Sequence, residues 1–248
     1  MNFSLPIKLP IAVGVLCVLI QTGLAQSPDS TETIRDVKTF RQLGAQVAGR
    51  KVDLEATVTC VEPIWNFMFV QDGDQPIFVQ NIYDDGLIVG DRVRIRGAGQ
   101  DGELDPVVMA DEVVRVRAGK IPKPLNLKLS EVKIGDHDAR FVRAEGFVRQ
   151  AVSNFGHTVL VCEEGETHFH VCLLGERRLE ELSGWIGAEI QTDGALGVTL
   201  EAGTENLDSR FGTRAVETLR ILTSTQPRFR GKDGQWEDDI EKLSLIHI

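Results

Sequence analysis

The chain has 248 residues, with 37 acidic and 27 basic side chains and a formal net charge of −10 at neutral pH. Such an excess of acid opposes non-specific attachment to phosphate backbones, where Lys and Arg supply the affinity, but it leaves room for a local basic groove. Of the four cysteines, Cys17 falls in the leader described next; Cys60, Cys162 and Cys172 are odd in number, make no complete disulfide framework, and are expected as buried free thiols.

The first 25 residues read as a secretory signal rather than as fold. Lys8 is followed by an apolar run from Ile11 to Ile20 and by Gly23-Leu24-Ala25, which puts small residues at the −3 and −1 positions of a cut after Ala25. An uncleaved anchor over Leu9 to Leu24 is the alternative, and it falls short of the roughly 20 apolar residues a span needs. Bulky Leu16 argues against lipid attachment at Cys17. The expected location is therefore outside the cytoplasm, periplasmic or on the outer face of the inner membrane. Residues 26–33 form a polar lead-in.

From Ile34 the chain reads as short strands divided by Gly, Asp and Asn turns. In 52–60, Val52, Leu54, Ala56, Val58 and Cys60 share one face. Two apolar runs, 67–71 and 77–79, flank Asp72-Gly73-Asp74, a hairpin signal. Gly90-Asp91 introduces the alternating Arg92-Val93-Arg94-Ile95-Arg96, and Val113 to Val116 closes the set. A linker, 119–124, carries Pro122 and Pro124.

The same events then recur in order. Val52, Leu54, Ala56 and Val58 return as Val142, Ala144, Gly146 and Val148. The hairpin returns as 159–161 and 169–171 around Gly165, Gly90 to Ala98 as Gly187 to Ala195, and the closing strand as Thr218 to Ile221. A short helix is expected over Glu176 to Leu182. Five strands in under about a hundred residues favour a small closed barrel, which leaves no unprotected edge. The inward positions include Val58, Phe69, Val93, Val148, Leu160 and Ile190.

These residues, with the run Phe69-Val70-Gln71-Asp72-Gly73 at their centre, resemble hairpins of the oligonucleotide/oligosaccharide-binding (OB) fold. The expected fold class is mainly β, with two tandem OB-like five-stranded barrels after the signal peptide: barrel 1 in 34–118 and barrel 2 in 125–223. Residues 224–242 are read as a linker to a missing downstream region. The hexapeptide 243–248 resembles a translated sequencing adapter, so the natural chain is expected to continue. Taken together, the leader and the tandem copies resemble the extracytoplasmic front of bacterial membrane-bound sensor histidine kinases. The resemblance implies a downstream membrane anchor and a signalling domain.

Trp65 and Phe67 are candidate ligand-binding residues, as a stacking surface beside the stripe Arg92, Arg94 and Arg96. The alternative is that these arginines pair with Asp53 and Glu55 on the neighbouring strand. His168, His170 and Cys172 share strand parity, and Cys162 lies across the turn. Imidazole and thiolate suit zinc or copper, but strand spacing alone supplies no tetrahedral geometry, so no metal and no other cofactor is expected. Asp84-Asp85 and Glu163-Glu164 fall in turns, and His137 and His157 in polar connections without a nucleophile. With no nucleophile elbow, phosphate loop or zinc-protease helix, no enzyme is expected. The expected function is a non-catalytic extracytoplasmic binding or sensory module for an unknown ligand. The alternative is a free periplasmic protein binding oligosaccharide, peptide or nucleic acid, with nucleic acid disfavoured by the net acidic charge.

Overall fold

The computed structural model describes residues 32–238 apart from 81, 83–85, 103, 134, 155, 203–214 and 232. The leader, residues 26–31 of the lead-in and the terminal hexapeptide lie outside the described residues. Among the described residues no helix is long and apolar enough to cross a membrane.

Helix α1 (Val37–Leu43) starts at Asp36, whose Oδ1 accepts the Thr39 N–H at 2.7 Å and so satisfies one orphan donor of the first turn. The helix drives Val37 and Phe40 into the first core. Strands β1 (Lys51–Glu62), β2 (Phe67–Asp72), β3 (Gln75–Gln80), β4 (Arg92–Gln100) and β5 (Val107–Arg117) close into a barrel in the order β1-β2-β3-β5-β4, with β4 returning to β1. Leu54, Val58, Met68, Val70 and Ile95 fill it.

After the linker come β6 (Leu125–Asn126), β7 (Phe141–Asn154), β8 (His157–Glu164), β9 (Thr167–Leu173), α2 (Leu179–Leu182), β10 (Glu189–Ala202) and β11 (Ala215–Thr223). The order β7-β8-β9-β11-β10 repeats that of barrel 1, and β10 pairs back onto β7 to close it. Two further strands, β12 (Arg228–Arg230) and β13 (Trp236–Glu237), extend the sheet from β10. The chain is thus mainly β, built from two tandem OB-like barrels.

The internal copy reaches backbone detail. Each first strand carries a bulge, at Thr59 in β1 and at Arg149 in β7. Gly90 N–H donates to the Val58 carbonyl, and Gly187 N–H to the Val148 carbonyl, each at 2.8 Å. Gly97 and Gly194 also correspond. A Cβ on Gly97 would lie 2.0 Å from the Met109 carbonyl oxygen, and one on Gly194 2.5 Å from that of Leu222, so both crossings demand glycine.

Four expectations need correction. The bulge at Thr59 reverses parity, so Cys60 leaves the face shared by Val52 to Val58 and pairs beside Phe69. Phe69 is buried, but by barrel 2; Met68 and Val70 are the residues that point into barrel 1. The closing strand of barrel 1 aligns with that of barrel 2 through Val108, which pairs with Val79 as Ile221 pairs with Val171. Val113 to Val116 run on past that point, leaving Val114 and Val116 about half exposed. The supposed linker 224–242 holds β12 and β13, and Phe229 is fully buried in barrel 2 against Trp185, ring centroids 4.9 Å apart.

Candidate nucleic-acid interface

The two barrels meet across a third apolar cluster that includes Cys60 and Phe69 from barrel 1 and Val159, Cys172, Ala195 and Leu222 from barrel 2, with Phe67 and Phe78 packed against it. The rings of Phe67, Phe69 and Phe78 touch one another at 5.2–5.6 Å. Trp65, in the β1–β2 turn, sets its ring edge-on to His157 at 4.6 Å. His157 is not in a polar connection: it is buried at this junction with Nε2 2.7 Å from Oε2 of buried Glu62. Its Nδ1 accepts the Gly175 N–H at 3.0 Å, which leaves the ring proton on Nε2; the approach of Nε2 to Glu62 is close without the alignment of a hydrogen bond. Oε1 of Glu62 accepts the Ile64 N–H at 2.6 Å. Three more bonds cross the junction: Phe141 N–H donates to Gln71 Oε1 at 3.1 Å, and Arg140 donates to the Asp74 carboxylate at 2.7 Å and to the Asp74 carbonyl. The stacking surface expected at Trp65 and Phe67 is therefore largely spent on holding barrel 2.

The arginine stripe is spent as well. Arg94 grips Asp53 through two bonds of 2.6 Å, Arg92 reaches Asp72 at 2.8 Å, and Arg96 reaches Glu112 at 2.6 Å and Asp53 at 3.7 Å. The Arg94 hydrogen bonds, with Arg96 and Arg35 beside them, hold the Asp53 carboxyl below the usual range.

His168, His170 and Cys172 do share one face of β9, whereas Cys162 points the other way, into the core of barrel 2. Among the described residues no three His, Cys, Asp or Glu side chains converge to hold a metal. All three thiols are buried and free. Burial pushes Cys162 up to about 12 and Cys172 up to about 11, and Cys60 higher still, so none is a thiolate at neutral pH.

The open surface lies elsewhere, on the outward side of β7, β10, β12 and β13. Inward Gly146 and Val148 leave Phe147 pointing out, 42% exposed, with the Arg149 guanidinium 5.6 Å over its ring. Phe147 pairs with Glu189 on β10, and Arg230 on β12 lies 3.8 Å from that carboxylate. Arg230 in turn pairs with Trp236 and stacks over its ring at 4.9 Å. The result is a row of two rings, each capped by a guanidinium, separated by three strand spacings, about 14 Å. Beside it, Arg228 donates to Gln191, Gln191 donates to Glu145 at 2.6 Å, and Arg143 grips Asp193 through two bonds of 2.6 Å. Arg149 is likewise held by Glu163 at 2.8 and 2.9 Å, which keeps the Glu163 carboxyl below its usual range. These groups offer flat faces and planar donors, and no nucleophile or proton-transfer pair. Phe147 was legible as an aromatic at an outward position of its strand. Arg230 and Trp236 fell in the supposed linker, and their approach depends on two strands too short to read.

No family model matches the sequence, and no curated protein matches it. Solved structures with distant similarity include a murine DNA-binding protein bound with double-stranded DNA, 14% identical, covering 69% of this chain and 96% of that one at a TM-score of 0.35. The HINa domain of Ifi202 in complex with 20 bp of double-stranded DNA is 13% identical, with 68% and 90% covered and a TM-score of 0.35. Fission yeast Pot1 with single-stranded DNA is 9% identical, with 76% and 88% covered and a TM-score of 0.30. The expectation of an extracytoplasmic sensory or periplasmic binding module is corrected on this finding, since the structures it resembles are DNA-binding domains. The expected periplasmic location and the exclusion of nucleic acid as a partner are withdrawn with it.

Proposed function

We propose that this chain is a non-catalytic tandem-barrel module that binds single-stranded nucleic acid on the open face of barrel 2. The observation that carries the reading is the row of Arg149 over Phe147 and Arg230 over Trp236. Rings on an open sheet stack bases regardless of sequence, and guanidinium groups beside them meet the backbone. An unpaired strand is favoured over duplex, because only unstacked bases reach a ring face. Both arginines already face carboxylates, so few phosphates are neutralised and stacking supplies most of the affinity.

Fluorescence anisotropy with a labelled oligothymidine of about 12 nucleotides tests this, a length within the range one OB barrel occupies. Binding is expected with a log K against log salt slope no steeper than about −1.5, the value for about two phosphates on a single strand. Replacing both Phe147 and Trp236 with Ala is expected to weaken binding at least tenfold, given about 1–3 kcal/mol for each stacked base. Absence of binding at low salt, or binding unchanged in the double variant, overturns the reading.

A further inference from the structure

A second concave site lies where barrel 1, its β4–β5 connection and barrel 2 converge. It is a cavity of about 400 Å³. Phe69 and Phe78 form one wall, their centroids 5.2 Å apart, and Leu104 and Val107 form another. Gly197 of β10 leaves the side toward barrel 2 without a side chain. The polar groups at its rim are Gln80, Gln100, Asp101, Asp105 and Asp138, and no Lys or Arg is among the described residues that line it. Arg41 of α1 reaches the rim but is already bonded to Asp105 at 2.7 Å and to the Pro76 carbonyl at 2.8 Å.

The chemistry of this space differs from that of the stacking row. Phosphate is repelled by three carboxylates facing one committed guanidinium. A bare metal ion is also a poor occupant: the carboxylates do not converge, and the walls are aromatic and aliphatic over a volume far larger than an ion. Ring faces attract positive charge, and apolar walls favour a flat body. We infer that this cavity binds a small organic cation with a flat apolar body, such as an aryl amidinium, with the body against Phe69 and Phe78 and the charge toward Asp138 and Asp105. A cation beside Asp138 would offset the burial that disfavours its charge. Burial and the neighbouring Asp105 push its carboxyl up to about 6, with Arg41 pulling only part of the way back.

Titration calorimetry on the full chain with benzamidinium as the probe tests the inference, with neutral benzamide and anionic benzoate as comparators. Saturable binding of benzamidinium is expected, with benzamide at least about tenfold weaker, a difference of about 1.4 kcal/mol, and benzoate silent. Asp138→Asn, which preserves the shape of the side chain, is expected to bring benzamidinium down to the benzamide level. Phe78→Ala is expected to weaken both ligands. Circular dichroism establishes that each variant is folded, and if Asp138→Asn does not fold, the comparison of the three probes on the unaltered chain decides. Equal binding of benzamidinium and benzamide, no benzamidinium binding at about 10 mM, or affinity indifferent to both substitutions in folded variants overturns the assignment.

Discussion

Barrels 1 and 2 share strand order, bulge and glycine positions, yet they use some equivalent outward positions differently. By register, Phe67, Phe69 and Phe78 of barrel 1 correspond to Val159, Val161 and His170 of barrel 2. The three phenylalanines and Val159 are gathered at the junction between the barrels, whereas Val161 and His170 lie half-buried outside it. The ion pairs diverge in a different way. Asp53 lies opposite Arg96 in barrel 1, and at the matching place Arg143 lies opposite Asp193. The cross-strand attraction is kept while its sign is exchanged, as expected where only complementarity across the ladder matters. Inward positions tolerate change of size within an apolar class; outward positions are where the copies part.

The sharpest test of this contrast is to cut matching positions. Phe69→Ala is expected to destabilise the chain by about 3–5 kcal/mol, as for a buried aromatic, because it opens a void between the barrels. Val161→Ala, at the equivalent place, is expected to cost less than about 1 kcal/mol. Denaturant melts of the two variants read the difference. Equal losses would mean that the junction adds nothing to the stability of barrel 1.

A smaller effect is expected at the cleft, where, among the described residues, barrel 2 contributes Asp138, a half-buried carboxyl of raised pKa. Asp138 titrates near 6 in the folded chain and near 3.9 when unfolded. The folded state therefore holds the extra proton between these values, and stability falls as pH rises through that window. The penalty is absent below the unfolded value and complete above about 6, at up to about 3 kcal/mol. Melts of Asp138→Asn against the unaltered chain from about pH 4 to 7 are expected to diverge in favour of the variant as pH rises. A constant difference across that range would show that Asp138 carries no shifted proton.

The smallest effect is expected at the exchanged ion pair. Arg143→Ala should cost less than about 1 kcal/mol, since a partly exposed pair repays little beyond its own desolvation and ordering. Restoring the pair in reverse, with Arg143→Asp and Asp193→Arg together, is expected to return stability to within about 0.5 kcal/mol of the unaltered chain. Double-mutant melts read the coupling, and a loss in the reversed pair equal to the summed single losses would refute the idea that its sign is free.

Local chemistry in the sequence was enough to place most strands and the duplication. Period-two alternation, the Asp-Gly hairpin and the matched Gly90/Gly187 and Gly97/Gly194 depend on neighbours a few residues apart, and each acts through backbone sterics that any fold must respect. Alternation tells which residues share a face, but one inserted residue at Thr59 turns Cys60 to the other side, and no composition cue marks the insertion. Nor does alternation say what covers an outward face. Alternation placed Phe69 inward and left Phe67 as a candidate stacking residue; only the approach of Val159, Cys172 and Leu222, distant in the chain, decided that both serve the junction. The same holds for Arg92, Arg94 and Arg96, whose partners come from three other strands or their ends. The stacked row and the cleft depend on tertiary contact altogether. Arg230 meets Trp236 because two very short strands are pinned to β10 by Phe229 in the core, and Asp138 meets Phe78 across a boundary between barrels. Such sites arise from surfaces brought together by burial, and burial is a property of the whole chain rather than of any stretch of it.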